Sequence, residues 1–254
     1  MVIAFTTMLG LLIGSFLTVV VDRVPRGKSI VAPGSACGSC GLELGPLDLV
    51  PVVSWLALRG KCRRCRAKIG VEPLIIELVN GTLFLLFAVK FHLSWELAAY
   101  CAFGAGLVAL SAIDLHTKRL PREITYITAA IGMPLLCVAA VVRHEPRRIW
   151  MMLLGAACAL AFMGIVYVAS CGGMGDGDVR LSPLLGAFMG WLNPGFVAAG
   201  LFLAFLLGAV VGVVVMAISH GGRKTSVPFG PFLAAGSVAA VWLGQPMIDL
   251  LLHR

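Results

Sequence analysis

The sequence predicts an all-α polytopic membrane protein of about eight transmembrane helices, with a small cysteine-bearing loop domain between the first and second helices. Three observations predict it. The 254 residues are 59% hydrophobic and only 13% charged, about half the charged fraction of a soluble domain. Apolar runs of roughly 20 residues, the length that crosses a bilayer, recur along the chain. One polar segment, residues 24–72, interrupts them and carries two Cys-x-x-Cys pairs.

The first run, Val2–Val21, is followed by Asp22, Arg23, Arg26 and Lys28. A secretory signal places its positive charge before the apolar run. The run therefore reads as a retained helix, with its N-terminus outside and its C-terminus at the cytoplasm. The net charge of +8 fits Lys- and Arg-rich cytoplasmic loops better than a nucleic-acid partner.

The polar segment holds Cys37, Cys40, Cys62 and Cys65, with 21 residues between the pairs. Two such knuckles suit one tetrahedral zinc ion, because each presents two thiolates from a tight turn. A cytoplasmic loop is kept reduced, which argues against disulfides. Four thiolates leave no open position, so the metal is expected to be structural. Cys101, Cys137, Cys158 and Cys171 lie in or beside apolar runs and read as packing residues.

Seven further helices are predicted at Leu74–Phe91, Leu97–Ile113, Ile124–Val142, Ile149–Ser170, Leu181–Leu192, Phe196–Ser219 and Phe229–Leu252, the short Leu181–Leu192 helix having room to begin inside the preceding glycine loop. The resulting cytoplasmic loops, 22–72, 114–122, 171–180 and 220–226, hold fifteen of the twenty Lys and Arg residues. The Arg143–Arg148 cluster falls on the outer side, against the trend. The domain organisation is thus 1–23, a first transmembrane helix; 24–72, a cytoplasmic four-cysteine zinc-binding domain; and 73–254, a transmembrane core.

Within that core, Gly172–Arg180 sets Asp176 and Asp178 among Gly172, Gly173, Gly175 and Gly177. Gly-x-Gly-Asp occurs there in two registers. Ionisable residues at the edge of a hydrocarbon layer are costly and mark function. The topology carries Asp114, at the end of the third helix, to the same membrane face. Two carboxylates in a poorly solvated site share a proton; one can then take a proton from water while the other donates to a peptide carbonyl. The bland reading of Asp114 is a helix-end carboxylate paired with Lys118 or Arg119.

Glu77, near the cytoplasmic end of the second helix, reads equally as a brace for the carboxylates, a contact for a substrate amine, or an acid snorkelling to the interface. His116 and His220 read as solvated loop residues, and no His-Glu-x-x-His occurs. There is no Gly-rich dinucleotide fingerprint.

These residues together resemble the type IV prepilin peptidase family, membrane aspartic proteases of the Gly-x-Gly-Asp kind that also N-methylate their product. The resemblance runs from Gly14–Pro25 through both cysteine pairs with Pro51–Cys62 between them. It continues through Asp114 with Leu120-Pro121, then Gly173–Leu181, to Pro228–Phe232. It implies Asp114 and Asp178 as the catalytic pair, since Asp178 is followed by Val179 and the basic Arg180. Asp176 is implied as a neighbour that modulates the pair, and Gly173, Gly175 and Gly177 as a loop against which the substrate strand lies. The four cysteines match the family's zinc ligands.

The implied reaction is cleavage of the basic leader of prepilins or pseudopilins at the cytoplasmic face of the bacterial inner membrane. Methylation of the new N-terminus with S-adenosylmethionine follows. The chain departs from the family pattern at Arg122, at Arg180 where Lys is usual, and at Gly70–Leu74. These departures lie nearer the cytoplasmic loop than the carboxylates, so efficient cleavage with slower methylation is expected. Two other classes fit less well. A proton-coupled transporter predicts acids at mid-membrane. A non-catalytic assembly factor predicts that both aspartates are dispensable. A presenilin-like protease leaves the cysteine loop unexplained.

Overall fold

A computed structural model describes residues 1–170, 173–218 and 228–252. Cys171, Gly172, His220 with its predicted 220–226 loop, His253 and Arg254 lie outside the described residues. Among the described residues the β-pairing consists of two isolated bridges, Ala36 with Glu43 and Lys61 with Lys68. Seven helices there are long and apolar enough to cross a membrane, so the protein is a multi-pass membrane protein.

The chain forms two compact units, Met1–Ala112 and Ile113–Arg254. The first contains α1 (Val2–Arg23), the short α2 (Val53–Ala57), α3 (Glu72–Phe91) and most of α4 (Trp95–Thr117). α1 packs along α3. Asn80 of α3 is fully buried and donates its side-chain N–H to the Gly10 carbonyl oxygen at 2.6 Å, fixing that pairing. Between α3 and α4 the rings of Phe91 and Tyr100 stack with centroids 4.3 Å apart.

The second unit contains α5 (Arg122–Val142), α6 (Arg147–Ala169), α7 (Asp176–Leu192), α8 (Gly195–Ile218) and α9 (Gly230–Leu252). α7 packs against α5, α6, α8 and α9 and forms the core of this unit. Leu185, Phe188, Met189 and Trp191 of α7 are fully buried. α6 comes very close: a Cβ on Gly155 would sit 2.3 Å from the Gly186 carbonyl oxygen. The outward surfaces are apolar, with Ile165, Val168, Phe202 and Val213 exposed, as lipid contact requires.

Two boundaries differ from the sequence expectation by more than two residues. The third predicted helix does not stop at Ile113 but continues to Thr117, because nothing in Leu115-His116-Thr117 breaks it. The turn away comes at Lys118, with φ 52°, whose N–H still bonds the Asp114 carbonyl oxygen at 2.8 Å. Asp114 therefore sits one turn inside the helix, and His116 is an exposed helix residue instead of a loop residue. The sixth predicted helix begins inside the glycine loop, at Asp176, since two acids suit the positive end of a helix. Even so, α7 has only 17 residues, about 25 Å at 1.5 Å per residue. Among the described residues it is the one long helix below spanning length.

Candidate functional site

The second unit brings Asp114 and Asp178 to one cavity of about 460 Å³. Both carboxylates are largely buried, at 5% and 8% exposure. Met174, Gly175, Phe205 and Phe229 share the wall. The two acids are close enough for Asp178 to feel the charge of Asp114. They come from opposite kinds of helix end: Asp114 from the last turn of α4, Asp178 from the first turn of α7.

Each is held differently. Oδ2 of Asp114 accepts the backbone N–H of Gly230 at 2.8 Å, in a buried position. Gly230 is the first residue of α9, so Asp114 caps that helix from another element. A Cβ on Gly230 would lie 2.8 Å from the same oxygen, so only glycine lets the backbone approach. Among the described residues the Asp178 carboxylate has no hydrogen-bond partner. Leu120 packs against two glycines of the site: a Cβ on Gly177 would meet its Cβ at 3.0 Å, and one on Gly230 its Cδ2 at 3.1 Å. Gly173 and Gly175 line the cavity itself.

Asp176 is exposed and pairs with Arg180 one turn on. Arg180 thus serves the surface acid, not the buried one. Lys118 lines the cavity that holds Asp114.

The first unit gathers Cys37, Cys40, Cys62 and Cys65, with all four sulfur atoms within 4.8 Å of one another. The Cys37–Cys65 and Cys40–Cys62 sulfurs are 3.8 and 4.0 Å apart. A tetrahedron with 2.3 Å metal–sulfur bonds has edges of about 3.8 Å. The two knuckles have the same build. Cys37 N–H bonds the Leu42 carbonyl oxygen at 2.8 Å, and Cys62 N–H bonds that of Ala67 at 2.9 Å. Each turns through a left-handed residue, Gly41 at φ 67° and Arg66 at φ 59°.

Backbone N–H groups of Ser39 and Cys40 aimed at the Cys37 sulfur lower its pKa to about 6. Those of Cys65 and Arg64 lower that of Cys62. Cys65 has the Ala67 N–H directed at it, yet burial and the neighbouring sulfurs push it up to about 11. Four thiolates at this spacing repel one another unless a cation joins them. The cluster can therefore hold a metal ion. Cys101 is buried and Cys158 exposed on α6, as apolar packing positions allow.

Glu77 belongs to the first unit. It is 7% exposed, and its Oε2 accepts the Val52 N–H at 2.8 Å. Val52 is a β-branched residue at φ 63°, and the Val53 N–H bonds the Pro51 carbonyl oxygen at 2.6 Å across it. That is a rare, strained γ-turn.

Sequence reasoning places the acids and the cysteines. It sees Gly230 and Leu120 only as parts of resembling motifs. Val52 carries no signal.

Comparison with known proteins decides the family. Residues 8–91 match the bacterial peptidase A24 N-terminal domain, and residues 101–216 match the type IV leader peptidase family. A prepilin leader peptidase/N-methyltransferase of Bacillus subtilis strain 168 is 32% identical over 94% of each chain. The chain belongs to the type IV leader peptidase family. Other family members agree. The prepilin leader peptidase/N-methyltransferase of Pseudomonas aeruginosa PAO1 is 33% identical over 94% of this chain and 90% of its own length. The protein of that name from Burkholderia pseudomallei strain 1026b is 34% identical over 99% of this chain and 88% of its own. No solved structure matches this leader peptidase family chain.

Proposed function

We infer that this protein is a membrane aspartic endopeptidase that removes the basic leader of type IV prepilins or pseudopilins and then methylates the new N-terminal residue. The observation that carries the reading is the pairing of Asp114 and Asp178 in one cavity, from helix ends 64 positions apart in sequence. Two nearby buried carboxylates share a proton. The ionised member takes a proton from water, and the protonated member gives one to the scissile carbonyl oxygen. The Gly230 N–H fixes the orientation of Asp114 for that exchange. Gly173 and Gly175, on the cavity wall, leave room for an extended substrate strand, whereas Gly177 lies within α7 and lets Leu120 pack against it. Asp176, neutralised by Arg180, tunes the pair without touching the reacting atoms.

The cysteine cluster is assigned to structural zinc: its sulfur spacing fits and four thiolates complete the shell. S-adenosylmethionine, when bound, supplies the methyl group. The substrate amine must meet that group uncharged and in line, within about 3–3.5 Å. The Lys and Arg distribution supports a bacterial inner-membrane protein with its N-terminus outside and its carboxylates at the cytoplasmic face. The division into 1–23, 24–72 and 73–254 follows these roles: first helix, cytoplasmic zinc domain, and peptidase core.

The test is prepilin cleavage in membranes, with the product weighed by mass spectrometry. Wild type yields a shortened chain, and methylation adds one methyl mass. Asp114→Asn and Asp178→Asn abolish cleavage, and Asp176→Asn does not. Full activity in Asp178→Asn with loss in Asp176→Asn would move the role to Asp176.

A further inference from the structure

A second cavity, of about 370 Å³, lies wholly within the first unit. Its wall includes Ser15 of α1, Asp48, Trp55 and Leu58 of the loop domain, Lys68 of the second knuckle, and Glu77 of α3. The size is that of a nucleoside-bearing cofactor, within the usual range of small-molecule pockets.

The two acids on the wall differ. Asp48 is satisfied: it accepts from Arg63 at 2.6 Å and from the Gly45 N–H at 3.1 Å. Glu77 is not. One of its oxygens holds the Val52 N–H; among the described residues the other has no hydrogen-bond partner, and no cation pairs with the carboxylate. A carboxylate more than nine-tenths buried, unpaired and facing a cavity is costly. It is stabilised by a cationic ligand.

The geometry points to this cavity as the seat of S-adenosylmethionine, with Glu77 as the counter-charge to its sulfonium. This rests on the methyl-transfer half of the function proposed above. The rest of the wall fits that ligand. Trp55, its indole N–H held by the Gly70 carbonyl oxygen at 3.1 Å, and Leu58 offer aromatic and apolar surface for adenine. Lys68 offers a charge for the ligand's carboxylate. The other cation on the reaction path is the peptide's new N-terminal ammonium, and Glu77 suits it less. A carboxylate beside an amine favours the ammonium form, which has no lone pair to attack with. In the transfer, the amine nitrogen bonds the methyl carbon, the carbon–sulfur pair returns to sulfur, and a proton leaves nitrogen for water. The product is a neutral thioether, which Glu77 no longer attracts, so the same charge that favours donor binding favours product release.

The experiment uses the full-length protein in nanodiscs. Binding of S-adenosylmethionine and of S-adenosylhomocysteine, which lacks the charge, is measured by calorimetry on wild type and Glu77→Gln. In parallel, 8-azido-S-adenosylmethionine is cross-linked to wild type and the label mapped by peptide mass spectrometry. Wild type should prefer the sulfonium by about tenfold or more. Glu77→Gln should bring the ratio towards one. The label should fall within residues 46–80. An unchanged ratio in Glu77→Gln with a raised KM for processed peptide would assign Glu77 to the amine and overturn the proposal. Label within 114–230, with methylation of processed prepilin intact, would overturn the placement while leaving methyl transfer standing. A wild type that neither binds the donor nor methylates would overturn both. The mapping does not depend on whether the variant folds.

Discussion

The cysteine centre and the aspartate pair are built in opposite ways. The four sulfurs come from two similar knuckles 21 residues apart, and each knuckle shapes itself through its own backbone hydrogen bonds. The aspartates come from separate helices, and what fixes Asp114 is a backbone N–H 116 residues away. The first site is local and is expected to depend on its metal. The second is non-local and depends on how the end of α4 meets α7 and α9. Damage to one should therefore read out differently from damage to the other.

The largest effect is expected at the aspartates. Asp114→Asn or Asp178→Asn removes a proton-transferring group worth about 10²–10⁴-fold, so cleavage of prepilin in membranes should fall below detection while metal content stays at wild-type level. Asp176→Asn should change the rate less than about threefold, because its charge is exposed and already paired with Arg180. Metal loss in Asp178→Asn would show that the two sites are not independent.

Cys62→Ser should do the converse. Cys62 is the most buried of the four clustered cysteines. Bound metal should drop from one equivalent towards none, and limited proteolysis should cut within residues 26–72. Chelation of the wild type should reproduce that pattern. A metal-free protein whose loop stays protected would end the zinc assignment.

Gly230→Ala sharpens the contrast further, since it touches Asp114 without altering any acid. The added methyl needs space now filled by the Asp114 Oδ2, 2.8 Å away. A displacement near 1 Å at a reacting group costs about 10²-fold. Cleavage should fall by roughly that factor, with normal expression and metal content. Wild-type cleavage would mean that Gly230 does not position Asp114.

The smallest effect tests the likeness of the knuckles. Gly41 and Arg66 occupy the same left-handed position, where a side chain costs about 1 kcal/mol. Glycine's greater freedom in the unfolded chain offsets part of this. Arg66→Gly should slow proteolysis of the loop modestly, and Gly41→Arg should speed it. Equal rates would show that the metal overrides the backbone preference.

The same contrast decides what the sequence can reveal. Cys37, Cys40, Cys62 and Cys65 are legible because the ligand spacing is the site. Asp114 and Asp178 are legible through topology, since apolar runs and basic loops carry both to one face. The end of α4 is misjudged by a turn because Asp114 looks like a boundary, whereas Lys118 makes the turn. Gly230 is silent as to role: what it offers is an N–H, which every non-proline residue has. Val52 is worse than silent, because a β-branched residue argues against a positive φ. Its strain is held by Glu77, and nothing in local sequence encodes a partner 25 residues away.

The shortness of α7 has a consequence for solvent. A helix of 17 residues falls about 5 Å short of the roughly 30 Å hydrocarbon layer. A lone helix of that length would meet the mismatch by thinning the bilayer around it. α7 is packed against α5, α6, α8 and α9, and a cavity lined by Asp178 lies at its first turn. Hydrolysis consumes water, and hydrocarbon excludes it. In the orientation proposed above, the cavity beside the first turn of α7 is expected to give water a route to Asp178.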